Sequence, residues 1–279
     1  GLGDVYKRQH IIPCRYEYYE PRSLDEAIKL LDKLGSKAKV LAGGTDLIVS
    51  MKKGEVEPKY IINLKRIPGL DMVTDYGDYL SIGALARLSV LEKNPIIREK
   101  FTALYEALKS MASPQVRNMA TIGGNLCNAS PAADTAPPLL VFNTKLRIVG
   151  PSSERVIPIN EFFLGPKRTV LEYNELLKEI ILPYPSGFYG SCFIKISRTS
   201  MDLAKASVAV KIVIDHDGVV EDIAIGLGAV APKPIRAYSV EDYLRGRRFS
   251  EEAALEASKL VVNDISPITD IRSTAEYRR

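Results

Sequence analysis

At 279 residues, with 46% hydrophobic and 26% charged side chains, the chain has the composition of a folded globular protein and the length for two domains. Its 38 basic and 34 acidic residues leave a formal charge of only +4, scattered along the chain, which argues against a nucleic-acid-binding role. No apolar run approaches the ~18 residues of a membrane span. The start, Gly1–His10, has no apolar signal core and fits no periodic pattern, so it reads as foreign to the native fold. Three dispersed cysteines, Cys14, Cys127 and Cys192, form no CxxC pair and fit a reducing, cytoplasmic setting. With His10 and His216 as its two histidines, the chain is poorly equipped for a zinc site or a histidine-based triad, and no iron–sulfur spacing occurs. Redox work would need an organic cofactor.

In chain order, an extended Tyr-rich piece leads to Ser23, whose relation to Glu26 has the form of a capping box. A helix over Leu24–Leu34 follows, ended by Gly35, then a short strand at Lys39–Leu41 running into Gly43-Gly44. Ile48–Met51 reads as helical or extended, and Tyr60–Leu64 as a buried strand, so a β–α–β unit spans about 13–60. A second unit, 61–184, holds a strand at Tyr79–Gly83, a helix from Leu88 to Asn94-Pro95, and a helix from about Ile97 to Met111. Gly123-Gly124 follows inside a loop, and the Pro-punctuated stretch Asn128–Pro138 leads to strands around Leu146–Val149 and Glu179–Leu182. Pro183–Gly187 is a linker. Beyond it, over 185–279, the strands Ser207–Ile214 and Val219–Leu227 flank the turn His216-Asp217-Gly218, with a helix across Glu251–Val262. The last charged segment, ending at Arg279, looks as if it should continue.

Two segments carry chemistry. Ala42-Gly43-Gly44-Thr45-Asp46-Leu47 ends a strand, and Thr121-Ile122-Gly123-Gly124-Asn125 repeats the pattern. Glycine lets backbone N–H groups approach a ligand and line a concavity that binds phosphate oxygens, and Thr and Asn add donors beside it. Either pair alone is explained by a tight turn; both together form a clamp for the two phosphates of a dinucleotide. Gly226-Leu227-Gly228-Ala229-Val230-Ala231 satisfies the dinucleotide fingerprint formally, but Pro232 and Pro234 follow where a helix is required, so a glycine-containing strand end explains it. Asp134 is either a turn residue or an acceptor for ligand hydroxyls. Cys127 reads as a buried inert thiol, and Lys195 and Arg198 as surface residues flanking a strand.

Taken together, AGGTDL (Ala42–Leu47), TIGGN (Thr121–Asn125), NASPAAD (Asn128–Asp134), LGAVAPKPIRA (Leu227–Ala237) and DIRSTAEYRR (Asp270–Arg279) resemble the FAD-binding subunit of molybdenum hydroxylases, the medium subunit of bacterial xanthine, nicotinate and carbon monoxide dehydrogenases. The likeness runs from about Pro13 to the end. It implies an α+β chain: a two-subdomain FAD-binding domain of the vanillyl-alcohol-oxidase type over 13–184, then a smaller C-terminal domain of antiparallel sheet plus helices. It implies that Val40, Leu41, Ala42, Gly43, Gly44, Thr45, Asp46 and Leu47, with Thr121, Ile122, Gly123, Gly124 and Asn125, hold the FAD pyrophosphate. Asp134 would reach the ribityl or flavin end, with Leu177 and Lys195 near the flavin. Met111 stands where xanthine-oxidising members can place an aromatic.

The resemblance also implies a relay. A large subunit with molybdopterin oxidises the substrate, a small subunit passes electrons through [2Fe–2S] centres, and the FAD delivers them to NAD⁺ or another acceptor. No catalytic side chain is required of this chain. The competing expectations are a stand-alone flavin oxidoreductase and a non-catalytic FAD-binding scaffold.

Overall fold

The computed structural model describes residues 12–199 and 201–279, so the reading of Gly1–His10 concerns residues outside those described. The capping box forms with a shift of one residue. Ser23 Oγ accepts the Glu26 N–H at 3.2 Å, while Glu26 Oε2 takes the Arg22 N–H at 2.8 Å instead of that of Ser23. Helix α1 (Leu24–Leu34) buries Ala27, Ile28 and Leu31 and stops at Gly35, whose φ of +64° suits glycine. It packs on a parallel sheet of β1 (Glu17–Tyr19), β2 (Ala38–Leu41) and β3 (Tyr60–Asn63) in the order β1-β3-β2, so the first sheet runs through Asn63. Parallel neighbours need crossovers, and that between β2 and β3 contains α2 (Leu47–Lys52).

The second sheet is antiparallel. β4 (Val73–Asp75) and β5 (Tyr79–Gly83) open it, and six short helices follow: α3 (Leu88–Glu92), α4 (Pro95–Lys100), α5 (Thr102–Ser110), α6 (Pro114–Met119), α7 (Ile122–Cys127) and α8 (Ala136–Val141). β6 (Lys145–Val149), β7 (Glu154–Pro158), a small hairpin of β8 (Phe163–Gly165) and β9 (Arg168–Thr169), and β10 (Leu176–Pro183) come next. The sheet order is β4-β5-β10-β6-β7. The largest buried cluster lies between this sheet and the helices.

The helix expected from Ile97 to Met111 is two helices. Phe101 breaks it with φ −130° and ψ 54°. Its fully buried ring meets Phe142 edge-on at 5.0 Å and stacks on Tyr184 at 5.5 Å, so aromatic burial outweighs helical continuity there. Pro137 and Pro138 occupy the first turn of α8, where proline is tolerated, so the expected irregular stretch to Pro138 already contains a helix.

The third sheet runs β11 (Tyr189–Ile196), β12 (Ala206–Ile214), β13 (Val220–Gly228), β14 (Ile235–Arg236) in sequential order. Its central hairpin turns on Gly218, φ +76°, with Asp215 Oδ1 accepting the N–H groups of Asp217 and Val219. Helices α9 (Tyr238–Leu244) and α10 (Glu251–Lys259) cover one face; the helix expected to reach Val262 ends at Lys259 and continues as a 3₁₀ turn, Leu260–Asn263. Helix α11 (Ala275–Arg278) closes the described chain. On the other face β13 packs on α8. A Cβ at Gly226 would overlap the Pro137 carbonyl, and one at Gly228 would lie 3.1 Å from Pro137 Cγ. These two glycines therefore serve helix–sheet approach within a strand and no nucleotide turn.

Candidate cofactor site

β2 delivers the chain into Ala42–Asp46, half-buried apart from the exposed Asp46. Gly44 has φ +80°. A Cβ at Gly43 would overlap the Met119 carbonyl oxygen and stand 2.9 Å from Ala120 Cα, so only glycine lets the segment lie against the end of α6. The carbonyls of Gly44 and Asp46 are taken by Ile48 and Ser50 as α2 begins. The N–H groups from Gly43 through Leu47, by contrast, donate to no acceptor among the described residues. Backbone donors in a folded chain are almost always paired, so such a run beside glycines has the form of an anion cradle.

The second segment is not the loop that its glycines imply. Gly123 and Gly124 lie in the first turn of α7, capped by Thr121 Oγ1, which accepts the Gly124 N–H at 3.1 Å. The N–H groups of Ile122, Gly123 and Asn125 go to the carbonyls of Ala86, Ala84 and Thr121. Four of its five amides are thus spent inside the protein, while the Thr121 N–H donates to no acceptor among the described residues, and the segment buttresses the first one. A Cβ at Gly123 would stand 2.6 Å from Ala84 Cβ, and one at Gly124 would stand 2.8 Å from Thr121 Oγ1 and 3.6 Å from Ala42 Cβ. That last approach brings the two glycine segments together. Asn125 Oδ1 accepts from Thr135 Oγ1 at 2.6 Å, which leaves the Asn125 amide nitrogen as the donor available to a ligand.

Asp134 and Lys195 meet although they belong to different sheets' surroundings. Lys195 Nζ, on β11, donates to Asp134 Oδ2 at 3.1 Å and to the Ser110 carbonyl at 2.7 Å. Their side chains are 5% and 4% exposed, so the surface placement expected for Lys195 is wrong; Arg198, paired with Asp202, is exposed as expected. Burial pushes the Asp134 carboxyl up from its ordinary value, with Lys195 pulling the other way. Asp134 Oδ1 has no hydrogen-bond partner among the described residues. A buried carboxylate oxygen left open is costly unless a ligand hydroxyl or N–H completes it. Beside this pair a cavity of about 420 Å³ opens between Ser110–Pro114 and β11, with Lys195, Phe193 and Met201 in its wall.

Other expected site residues turn their side chains toward the protein interior. Leu41, Ile122 and Leu177 point into hydrophobic clusters, Leu177 on β10 where the ladder shifts register before Glu179. Val40 packs at the edge of the first cluster. Cys127 is exposed, contrary to the buried thiol expected. Ala84, Ala86 and Met119, whose carbonyls shape both glycine segments, carried no sequence signal. Among the described residues no three His, Cys, Asp or Glu side chains are grouped to hold a metal ion, and no helix is long and apolar enough to cross a membrane.

Residues 14–185 match the family model for the FAD binding domain in molybdopterin dehydrogenase, and residues 191–279 that for the CO dehydrogenase flavoprotein C-terminal domain. The carbon monoxide dehydrogenase medium chain of Hydrogenophaga pseudoflava is 35% identical over 268 residues, covering 96% of this chain and 93% of the relative. An Escherichia coli protein described as a putative xanthine dehydrogenase FAD-binding subunit is 32% identical, covering 94% and 90%. Among solved structures, carbon monoxide dehydrogenase from Hydrogenophaga pseudoflava superposes with a TM-score of 0.93 at 36% identity, over 96% of this chain and 93% of that one.

Proposed function

The chain belongs to the FAD-binding medium subunits of the molybdenum hydroxylases, and from this premise we propose that it holds one FAD and relays electrons through it within a larger complex. The observation that carries the residue assignment is the run of open N–H groups from Gly43 to Leu47, backed by the segment Thr121–Asn125. Those amides bind the diphosphate oxygens, and the Asn125 amide adds a side-chain donor. Asp134 Oδ1 accepts from a hydroxyl or N–H at the flavin end, and Lys195 keeps the Asp134 carboxylate oriented by holding its other oxygen. Bound there, FAD would supply two-electron and one-electron redox chemistry, while the protein contributes position, access and electrostatics.

The donor in this reading is a small subunit with [2Fe–2S] centres, fed by a large molybdopterin subunit; the acceptor is NAD⁺ or another oxidant. The names of the medium-chain relatives support a heteromeric assembly. We place the division of the chain at 184/185, supported by the ends of the two family matches and by the break between Pro183 and Tyr189.

The test is purification of the chain with its untagged neighbours, followed by a visible spectrum and metal analysis. A flavin spectrum, with molybdenum and iron in the co-purifying chains, is the expected result. Turnover of an organic substrate by this chain alone would favour a self-sufficient oxidoreductase instead. Gly124→Asp drives a side chain against Thr121 Oγ1 and toward Ala42, and adds negative charge beside the diphosphate. Flavin content should fall to background; wild-type content would refute the assignment of this segment.

A further inference from the structure

Helix α6 joins the two ends of the proposed site. Its first residue, Pro114, lines the cavity beside Lys195, and its last, Met119, presents the carbonyl against which Gly43 lies. Between them Arg117 is buried and fully engaged. Its Nε donates to Glu92 Oε2 at 2.8 Å, and its Nη1 donates to the carbonyls of Met111 at 2.8 Å and Ala112 at 3.1 Å. With Lys195 on the Ser110 carbonyl, three successive carbonyls at the end of α5 are each held by a buried cation. Ala112 has φ +45°, a conformation that alanine adopts only under constraint. The guanidinium fork supplies that constraint, and an ammonium could not bridge two carbonyls and a carboxylate in the same fixed geometry.

We propose that Arg117 is a positioning residue for the flavin: by holding the Met111–Ala112 turn it sets the cavity wall opposite Lys195, and through α6 it braces the Gly43–Leu47 amides. This rests on the FAD reading above. Residues that fix other residues act on a ligand through sub-ångström placement, and their loss is felt in binding and in the ligand's surroundings.

The test uses the full chain stripped of flavin and titrated with FAD, with the visible circular dichroism of the bound flavin and the melting temperature of the flavin-free protein read separately. Arg117→Met should raise the FAD dissociation constant on the order of tenfold and alter the flavin dichroism. Arg117→Lys should fall between it and wild type. Glu92→Gln, which leaves the two carbonyl contacts in place, should keep the wild-type dichroism. A merely structural role predicts a lower melting temperature for Arg117→Met with wild-type affinity and dichroism, and that outcome overturns the proposal. Should Arg117→Met fail to fold, wild-type values in Arg117→Lys overturn it equally. A Glu92→Gln dichroism as altered as that of Arg117→Met would also overturn it, since the ion pair rather than the carbonyls would then be responsible. If the unmodified chain takes up no FAD, the functional reading itself has failed; uptake with unaffected variants defeats this inference alone.

Discussion

At Gly43 the backbone runs so close to the end of α6 that even a methyl group meets the Met119 carbonyl. That a glycine pair after a strand marks close approach is readable from the residues. Which amides stay open is not, because the answer lies in carbonyls supplied from β5 onward: Ala84 and Ala86 consume the donors of Gly123 and Ile122, and among the described residues no comparable acceptor reaches Gly43–Leu47. Asp134 carries the pH dependence at this scale. Its native carboxyl is raised by burial, so its contribution to stability is fully present below the unfolded-state value of about 3.9 and is lost as pH rises through the raised native value. In the flavin-free protein this component should therefore be lost over that interval, and Asp134→Asn should lack it, so the two proteins' stability curves should diverge there. Urea midpoints measured from pH 3 upward, at about half-unit spacing, check it; parallel curves for the two proteins would contradict the assignment. FAD donors on Oδ1 favour the ionised form, so binding within the interval should release protons.

Among the elements, α4 and α5 show where periodicity misleads. The apolar spacing at Ile97, Phe101, Leu104 and Leu108 fits one helix, yet Phe101 leaves helical geometry to place its ring against Phe142 and Tyr184. Both partners lie far along the chain, so local pattern cannot register the competition. Phe101→Ala should cost about 3–5 kcal/mol of stability through the cavity it leaves, read from denaturant midpoints; a cost near that of a surface change would mean the ring does not hold the break. Capping was legible in part. Ser23 accepts an N–H group at the start of α1 as expected, whereas Asn94, expected at a helix end, and Thr121, expected in a loop, turn out to cap α4 and α7. The sequence pattern at the start of α7 implies a loop, since two glycines in a first turn look like a breaker rather than a packing device.

For the whole molecule, the decisive junction is that of the third sheet with the helices before it. α8 wedges its prolines against Gly226 and Gly228, and Arg236 reaches back to Asn143 while it pairs with Glu241. The same docking carries Lys195 to Asp134 and Ser110. Gly226→Val should therefore do two things: destabilise the chain by about 1–3 kcal/mol through overpacking, and weaken flavin retention by shifting β11. Urea midpoint and bound-flavin ratio measure both. An unchanged ratio alongside a lowered midpoint would show that the third sheet is not part of the cofactor's setting.

The residues alone determined the helix cap at Ser23, the hairpin at Gly218, the rejection of Gly226–Ala231 as a nucleotide turn, and, through motifs specific in combination, the family. These depend on chemistry within a few positions of one another. Only the tertiary structure decided which glycine segment offers its amides, that Lys195 is buried against Asp134, and that Leu177 belongs to the core. Each of those turns on a hydrogen-bond partner or packing neighbour tens of residues away, which no local period encodes.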